Sequence, residues 1–266
     1  MNVSLKSFFR SLLPTLVKGR RIIGGPLRGA RIVTSWYDYP AAILGRTERP
    51  LLNWFAANVR LNDTWLDIGA HYGYTAIALC RLVGQGGRVF AFEPMISTAG
   101  YVSKTRLLNN FPQLIVLPLG LANPETIEML RLPVVRGMVD SLLLKDKGER
   151  TINIGPRGRG KNWQETTLTV QLDWFWSYIC GGREKVDGVK IDVQGMEIEV
   201  LRGMSRLLSK WKPKLVVEMH KGVDRSELLD VIKAIGYSPN GSPVEPVIGE
   251  AEAQYLDDRS YIFLTV

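Results

Sequence analysis

The sequence predicts an α/β fold, a doubly wound and largely parallel sheet, on three observations. Strand-like apolar runs alternate with helix-periodic segments along most of the chain. The first such unit, Thr64-Trp65-Leu66-Asp67-Ile68-Gly69-Ala70-His71-Tyr72-Gly73-Tyr74-Thr75, passes from a strand through a glycine turn into a helix. Twenty residues beyond Gly73 stands Glu93, closing the second strand, where a carboxylate can accept both hydroxyls of a ribose.

In chain order, residues 64–67 read as the first strand, 75–83 as a helix, 88–93 as the second strand, 96–110 as the second helix and 113–119 as the third strand. Residues 186–192 read as the fourth strand, 196–209 as one helix, 214–219 as the fifth strand and 226–235 as a further helix. Residues 261–266 close the sheet as a terminal antiparallel strand. Ligands of such sheets bind outside the carboxyl ends of the strands, where Asp67, Glu93, Asp192, Glu218 and His220 are all expected. Residues 122–173, between the third and fourth strands, are too many for a structureless loop, so added strands or a small cap over the pocket are expected there, with substrate choice. Residues 166–173 read as a strand entering a helix at Asp173, whose Trp174, Phe175, Trp176 and Tyr178 are read as core.

The turn narrows the ligand. A dinucleotide site needs G-x-G-x-x-G, whose middle glycine admits a pyrophosphate to the backbone. Here the order is Gly69-x-x-x-Gly73. With Asp67 facing the pocket mouth, the loop suits a ligand that has no phosphate and carries a cationic amino group, and S-adenosylmethionine is such a ligand.

Four blocks extend this reading: D-I-G-A-H-Y-G-Y-T from Asp67, G-G-R-V-F-A-F-E-P from Gly86, V-K-I-D-V-Q-G-M-E-I-E-V-L-R-G from Val189, and P-K-L-V-V-E-M-H from Pro213. In this order they resemble the FkbM-type methyltransferases, over roughly residues 44–236. The resemblance implies a class I, Rossmann-like, S-adenosylmethionine-dependent enzyme that methylates a hydroxyl on a sugar, glycolipid or secondary metabolite. It also implies cofactor contacts at Asp67, Gly69, Ala70, His71, Gly73, Thr75, Glu93, Pro94 and Asp192. Leu44-Gly45-Arg46-Thr47-Glu48 resembles a family segment near the cofactor, where Glu48 would pair with the amino group of the methionine moiety. The chain departs from the family at Asp192-Val193-Gln194-Gly195, where the usual Asp-Val-Glu-Gly has lost a carboxylate, and at His71, where the family commonly has Asn. The catalytic domain is then expected over residues 44–266, with residues 1–43 as an amino-terminal extension.

A sulfonium already activates its methyl group, so the enzyme must align an acceptor and remove the proton of a hydroxyl. His220, two residues past Glu218, is the candidate base because imidazole titrates near neutral pH. Asp192 is expected beside the methyl donor, and Glu218 is expected to orient His220 or to bind acceptor hydroxyls. Asp192, Glu218 and His220 would also permit a divalent ion that lowers an acceptor pKa, but no ligand spacing demands one and no metal is assigned.

Composition bounds the rest. With 266 residues and 45% hydrophobic content the chain can bury one large core, and no apolar run approaches the ~20 residues of a membrane span. Cys80 and Cys180 match no metal or redox spacing, which suits free thiols in a reducing, cytoplasmic setting. Of the net charge of +8, all resides in residues 1–62, with ten basic and two acidic side chains. Leu5, Phe8, Phe9, Leu12, Leu13, Leu16 and Val17 fall at helical spacing, with Lys6, Arg10 and Lys18 on or near the other face. Two readings follow: a helix docked on the domain's flank, or an interfacial helix by which residues 1–31 touch an anionic membrane. Lys6 and Arg10 interrupt any signal-peptide core, and Pro14 disfavours one straight helix. The cations Arg20, Arg21, Arg28 and Arg31 leave an RNA methyltransferase as the alternative, although they form no recognisable nucleic-acid module. Gly155-Pro-Arg-Gly-Arg-Gly-Lys-Asn162 satisfies G-x-x-x-x-G-K but places Asn162 where a phosphate loop needs a hydroxyl, so a solvated turn is the reading.

Overall fold

The computed structural model describes residues 12–123, 127–133, 142–146, 149–153, 164–246 and 253–266. Its centre is a seven-stranded sheet built from β3 (Thr64–Ile68), β4 (Arg88–Phe92), β5 (Leu114–Leu117), β11 (Gly188–Ile191), β12 (Lys214–Met219), β13 (Ser242–Pro243) and β14 (Arg259–Phe263), in the order β13-β14-β12-β11-β3-β4-β5. The five strands β12, β11, β3, β4 and β5 are parallel, while β14 runs antiparallel to β12 and to β13. The order reverses between β3 and β11, which opens the binding crevice at their carboxyl ends. The predicted doubly wound sheet and its terminal antiparallel strand are both present, with the last strand beginning and ending earlier than residues 261–266.

Both faces of this sheet are covered, so its strands are apolar throughout with side chains alternating between two cores. Leu66, Ile68, Phe90, Phe92, Ile191 and Val217 point to one core. That face carries α5 (Leu172–Ile179), α6 (Glu197–Gly203), α7 (Ser205–Trp211) and α8 (Arg225–Ala234). Trp65, Val89, Ala91 and Val216 point to the other core, with α2 (Arg49–Asn58) and α3 (Tyr74–Val83). The second face also receives α4 (Ile96–Asn109), through Val102.

The helix predicted over residues 196–209 is two helices. Met204 leaves the helical region at φ −130°, and α7 starts anew with the backbone N–H groups of Arg206 and Leu207 donating to the Asp173 carboxylate at 2.8 and 2.7 Å. A side chain from another element thereby satisfies donors that a helix start leaves open. At the end of α6, Gly203 lets the chain at Ala122 pack close, since a Cβ there would lie 1.9 Å from the Ala122 carbonyl oxygen.

The helix predicted to continue through Leu12–Val17 is also corrected. Residues 12–17 form a turn and irregular chain, with Leu12 and Leu16 exposed and the Pro14 carbonyl accepting from Tyr37 N–H at 3.1 Å. Pro14 lacks the donor a helix needs and its ring crowds the preceding turn. Residues 1–11, with Leu5, Lys6, Phe8, Phe9 and Arg10, lie outside the described residues. Next comes a hairpin, β1 (Lys18–Arg21) antiparallel to β2 (Arg31–Thr34), followed by α1 (Pro40–Leu44). The hairpin docks on α4, with Val33 N–H donating to Thr105 Oγ1 at 2.9 Å and Arg31 N–H to Asn109 Oδ1 at 2.8 Å. Ile22, Leu27 and Ile32 are buried in the same core as Phe55 and Trp65, so much of the segment read as an extension packs into the body of the domain.

Within the interval between β5 and β11, a second sheet holds β6 (Gly120–Leu121), β7 (Glu128–Pro133), β8 (Leu142–Asp146), β9 (Glu149–Asn153) and β10 (Gln164–Val170), in the order β6-β10-β7-β9-β8. The glycine-rich run at 155–162 lies outside the described residues. The aromatic cluster read as core divides: Trp176 is buried against Phe90 and Phe175 packs on the core, whereas Trp174 and Tyr178 are exposed because they fall on the outer face of α5. Among the described residues no helix is long and apolar enough to cross a membrane.

Candidate active site

The turn after β3 is shaped by left-handed residues. Gly69 has φ 80°, and a Cβ there would lie 1.7 Å from the Asp192 carbonyl oxygen, so the ends of β3 and β11 meet at a distance only glycine allows. His71 and Gly73 follow at φ 49° and 82°. Gly69 and Ala70 donate their N–H groups to the Phe92 carbonyl at 3.0 Å, tying the turn to β4. Glu93 is then pinned from both sides, its Oε2 accepting from His71 N–H at 2.8 Å and its Oε1 from Met95 N–H at 3.0 Å. Burial pushes its pKa up to about 7 against the pull of those two bonds. Each oxygen keeps a lone pair for a further donor. Pro94 lies between these anchors, half-buried.

Asp67 does not face the pocket mouth, which corrects the sequence reading. It is fully buried, with Thr75 Oγ1 donating to its Oδ2 at 2.7 Å and Lys190 Nζ standing 3.4 Å from its Oδ1. Lys190, which sequence reasoning missed, also donates to Asp192 Oδ2 at 3.0 Å and to the Gly69 carbonyl at 3.2 Å. Burial alone would lower the Lys190 pKa, but Asp192 and Asp67 outweigh it and hold the ammonium charged. For Asp192 burial opposes ionisation, and Lys190 followed by His220 keeps it below the usual carboxylate range. The protein thus supplies the cation that Asp67 was expected to find in a ligand. Its signal in the sequence was a lone charge inside an apolar parallel strand, in register with Asp67.

Glu48 approaches the same group. It occupies the left-handed position before α2 at φ 54°, half-buried, with its pKa raised by burial. Tyr39, also missed, packs 5.4 Å from the His71 ring and 6.2 Å from Tyr74, centroid to centroid. Burial holds His71 down to about 4, so it is neutral, and its Nε2 is buried without a hydrogen-bond partner.

At the carboxyl ends of β11 and β12 the structure brings His220, Asp192 and Glu218 together. His220 Nε2 is 3.4 Å from Asp192 Oδ1, 3.5 Å from Glu218 Oε1 and 2.8 Å from the Gln194 amide nitrogen. Burial and then Asp192 push Glu218 up to about 7, and Ser260 Oγ donates to its Oε2 at 3.1 Å. Asp192, Glu218 and His220 offer ligand atoms within 4.8 Å of one another, close enough for one divalent ion. Glu197, which sequence reasoning passed over, is fully buried 2.6 Å from His220 Nδ1. A separate open cleft of about 480 Å³ lies between α5, α7 and α8, lined in part by Gln171, Arg202 and Arg206, and holds none of these residues.

A methyltransferase FkbM domain family model matches residues 67–239. Among solved structures, a methyltransferase FkbM from Methylobacillus flagellatus is similar at 16% identity and TM-score 0.48, covering 84% of this chain and 52% of that one. This chain therefore spans about half the length of that protein. An rRNA methylase from Streptococcus thermophilus is similar at 11% identity and TM-score 0.47, covering 84% of this chain and 98% of the other. Fibrillarin from Aeropyrum pernix, with natively bound S-adenosylmethionine, is similar at 13% identity and TM-score 0.43, covering 95% and 89%. No curated protein matches the chain.

Proposed function

The chain belongs to the FkbM-domain methyltransferases and uses S-adenosylmethionine as its methyl donor; from that premise we propose that it methylates a hydroxyl of a sugar, glycolipid or secondary metabolite, with His220 as the base. The observation that carries this reading is His220 Nε2 placed between two carboxylates at the carboxyl ends of β11 and β12, beside the crevice where the strand order reverses.

The residues around the turn fit the cofactor. Glu93 is buried, pushed up to about 7 and pinned by two N–H groups, so it lacks the further donors that two ribose hydroxyls would bring. Glu48, raised by burial, suits the cationic amino group of the methionine moiety. His71 Nε2, buried and unpartnered, faces the need for a donor at the same turn. When bound, the cofactor supplies a methyl group already activated on a sulfonium.

The acceptor hydroxyl then needs only alignment and a place for its proton. Glu218, near half-protonated at neutral pH, can hydrogen-bond an acceptor hydroxyl either as donor or as acceptor. His220 Nε2 takes the proton, and the charge that develops on the imidazole is stabilised by Asp192 and Glu218. Incubating the purified protein and labelled cofactor with glycan, lipid, metabolite and RNA extracts tests the proposal by mass spectrometry. The expected product is a methyl ether; labelled methyl found only on nucleic-acid bases would overturn it.

An RNA acceptor is the alternative, and it would draw on the exposed Lys18, Arg21, Arg28 and Arg31 of the hairpin. A steep loss of acceptor binding with salt would mark that case. For the amino-terminal segment we propose peripheral contact with an anionic membrane surface, supported by the exposed Leu12, Leu16 and Ile23 beside Lys18 and Arg21.

A further inference from the structure

Glu197 is a fully buried acid at the site that the proposed chemistry does not already use. It opens α6 directly after the Gln194–Gly195 turn, is fully buried, and its Oε1 accepts from Gly195 N–H at 3.1 Å while standing 2.6 Å from His220 Nδ1. Its Oε2 is buried without a hydrogen-bond partner. A carboxylate so placed is costly to bury, and breaking its pairing costs more than the pair contributes.

A carboxylate can only accept, so the proton in the 2.6 Å contact belongs to Nδ1, and Nδ1–H donates to Oε1. A neutral imidazole protonated at Nδ1 carries its lone pair on Nε2. Facing Nε2 are the ionised Asp192 carboxylate, which cannot donate, the Glu218 carboxyl group, and the Gln194 amide nitrogen, which donates to it at 2.8 Å. We propose that Glu197 is a positioning residue that locks His220 in its Nδ1–H tautomer, so that Nε2 keeps a lone pair, held by the Gln194 amide in the free protein and yielded to the acceptor hydroxyl when the acceptor binds. This rests on the reading of His220 as the base.

The surroundings are consistent from every side. Glu197 comes from α6, Asp192 with Lys190 behind it from β11, and Glu218 from β12 itself. From α8, Arg225 Nη1 donates to the His220 carbonyl at 2.9 Å and leaves the ring alone. Gln194 reaches its place because its backbone is left-handed, at φ 54°. The acceptor O–H bond breaks, its proton goes to Nε2, and the resulting imidazolium donates from Nδ1 to Glu197 and from Nε2 toward Asp192 or Glu218. The lock serves the ring both before and after proton transfer, as an orienting acid does for a catalytic histidine.

The chain has only two histidines, so imidazole ¹⁵N spectra of the whole protein hold two ring systems, told apart in the His71→Asn variant. The expected result is that neutral His220 carries its proton on Nδ1. Glu197→Gln is expected to lower kcat roughly 10–100-fold while KM for the cofactor stays within about twofold, with Glu197→Asp recovering part of the loss. A neutral His220 protonated on Nε2 overturns the proposal, whether or not the Glu197 variants fold. So does full turnover by Glu197→Gln where His220→Ala has lost it. Undiminished turnover by His220→Ala instead refutes His220 as the base, and the tautomer spectrum then still decides what Glu197 does to the ring.

Discussion

On the proposed reading, in which Glu93 holds the ribose, this one side chain couples cofactor binding to pH. Its pKa in the free protein is pushed up to about 7 by burial, whereas ribose hydroxyls donating to it favour the ionised form and draw that pKa down. Binding therefore expels a proton below pH 7, and the affinity for S-adenosylmethionine is expected to fall as pH drops through that value, by up to about tenfold per unit. Calorimetry from pH 8 to pH 5 reads this directly, and Glu93→Gln is expected to remove the Glu93 contribution. Glu93→Ala is expected to weaken binding at pH 8 by about 1.5–3 kcal/mol, the scale of hydrogen bonds to a charged group. Lys190 offers a test of the missed residue: Lys190→Met leaves the fully buried Asp67 and the half-buried Asp192 without their cation and is expected to cost about 3–5 kcal/mol of stability, read by denaturant unfolding. The placement of Glu93, Asp192, Glu218 and His220 was legible because strand ends show in the sequence. Lys190 left a local mark, a lone charge in an apolar strand, but its partner Asp67 follows only from strand register, and Glu197 and Tyr39 depend on contacts between elements that no local pattern encodes.

At the scale of elements, the helix-periodic segments were read to within a residue where a helix packs directly on the sheet, as in α3 and α4. Reading failed where a side chain from elsewhere sets the boundary. Asp173 starts α7 by accepting from Arg206 and Leu207, so Asp173→Ala is expected to destabilise the protein by about 0.5–2 kcal/mol, as loss of a helix cap does, measured as a lowered midpoint in urea. In the amino-terminal segment Pro14 ends the helical pattern for a local reason, and a distant one follows, since β1 pairs with β2 and β2 hydrogen-bonds to α4. Full-length protein is expected to bind anionic vesicles and to lose that binding when residues 1–17 are deleted, with the cofactor site intact. A drop in melting temperature with no vesicle binding by the full-length chain would assign those residues to packing alone.

Across the whole molecule, the alternation of strands and helices was enough to place the sheet, its switch point and the crevice between β3 and β11. The second sheet could be anticipated only as an interval too long for a loop, because strand pairing at long sequence separation leaves no periodic mark. What joins these scales is the claim that one crevice holds the methyl donor through Glu93 and removes the acceptor proton through His220. Turnover and cofactor affinity, measured together on wild type and His220→Ala with labelled S-adenosylmethionine and the acceptor found in extracts, test it most directly. The expected result is a methyl ether formed by wild type, and a loss of roughly 10²–10⁴ in turnover by the variant with cofactor Kd unchanged. A loss below about fivefold would contradict the claim by assigning the rate to alignment alone, and abolition by chelator with rescue by magnesium would contradict it by moving the proton's activation to a metal.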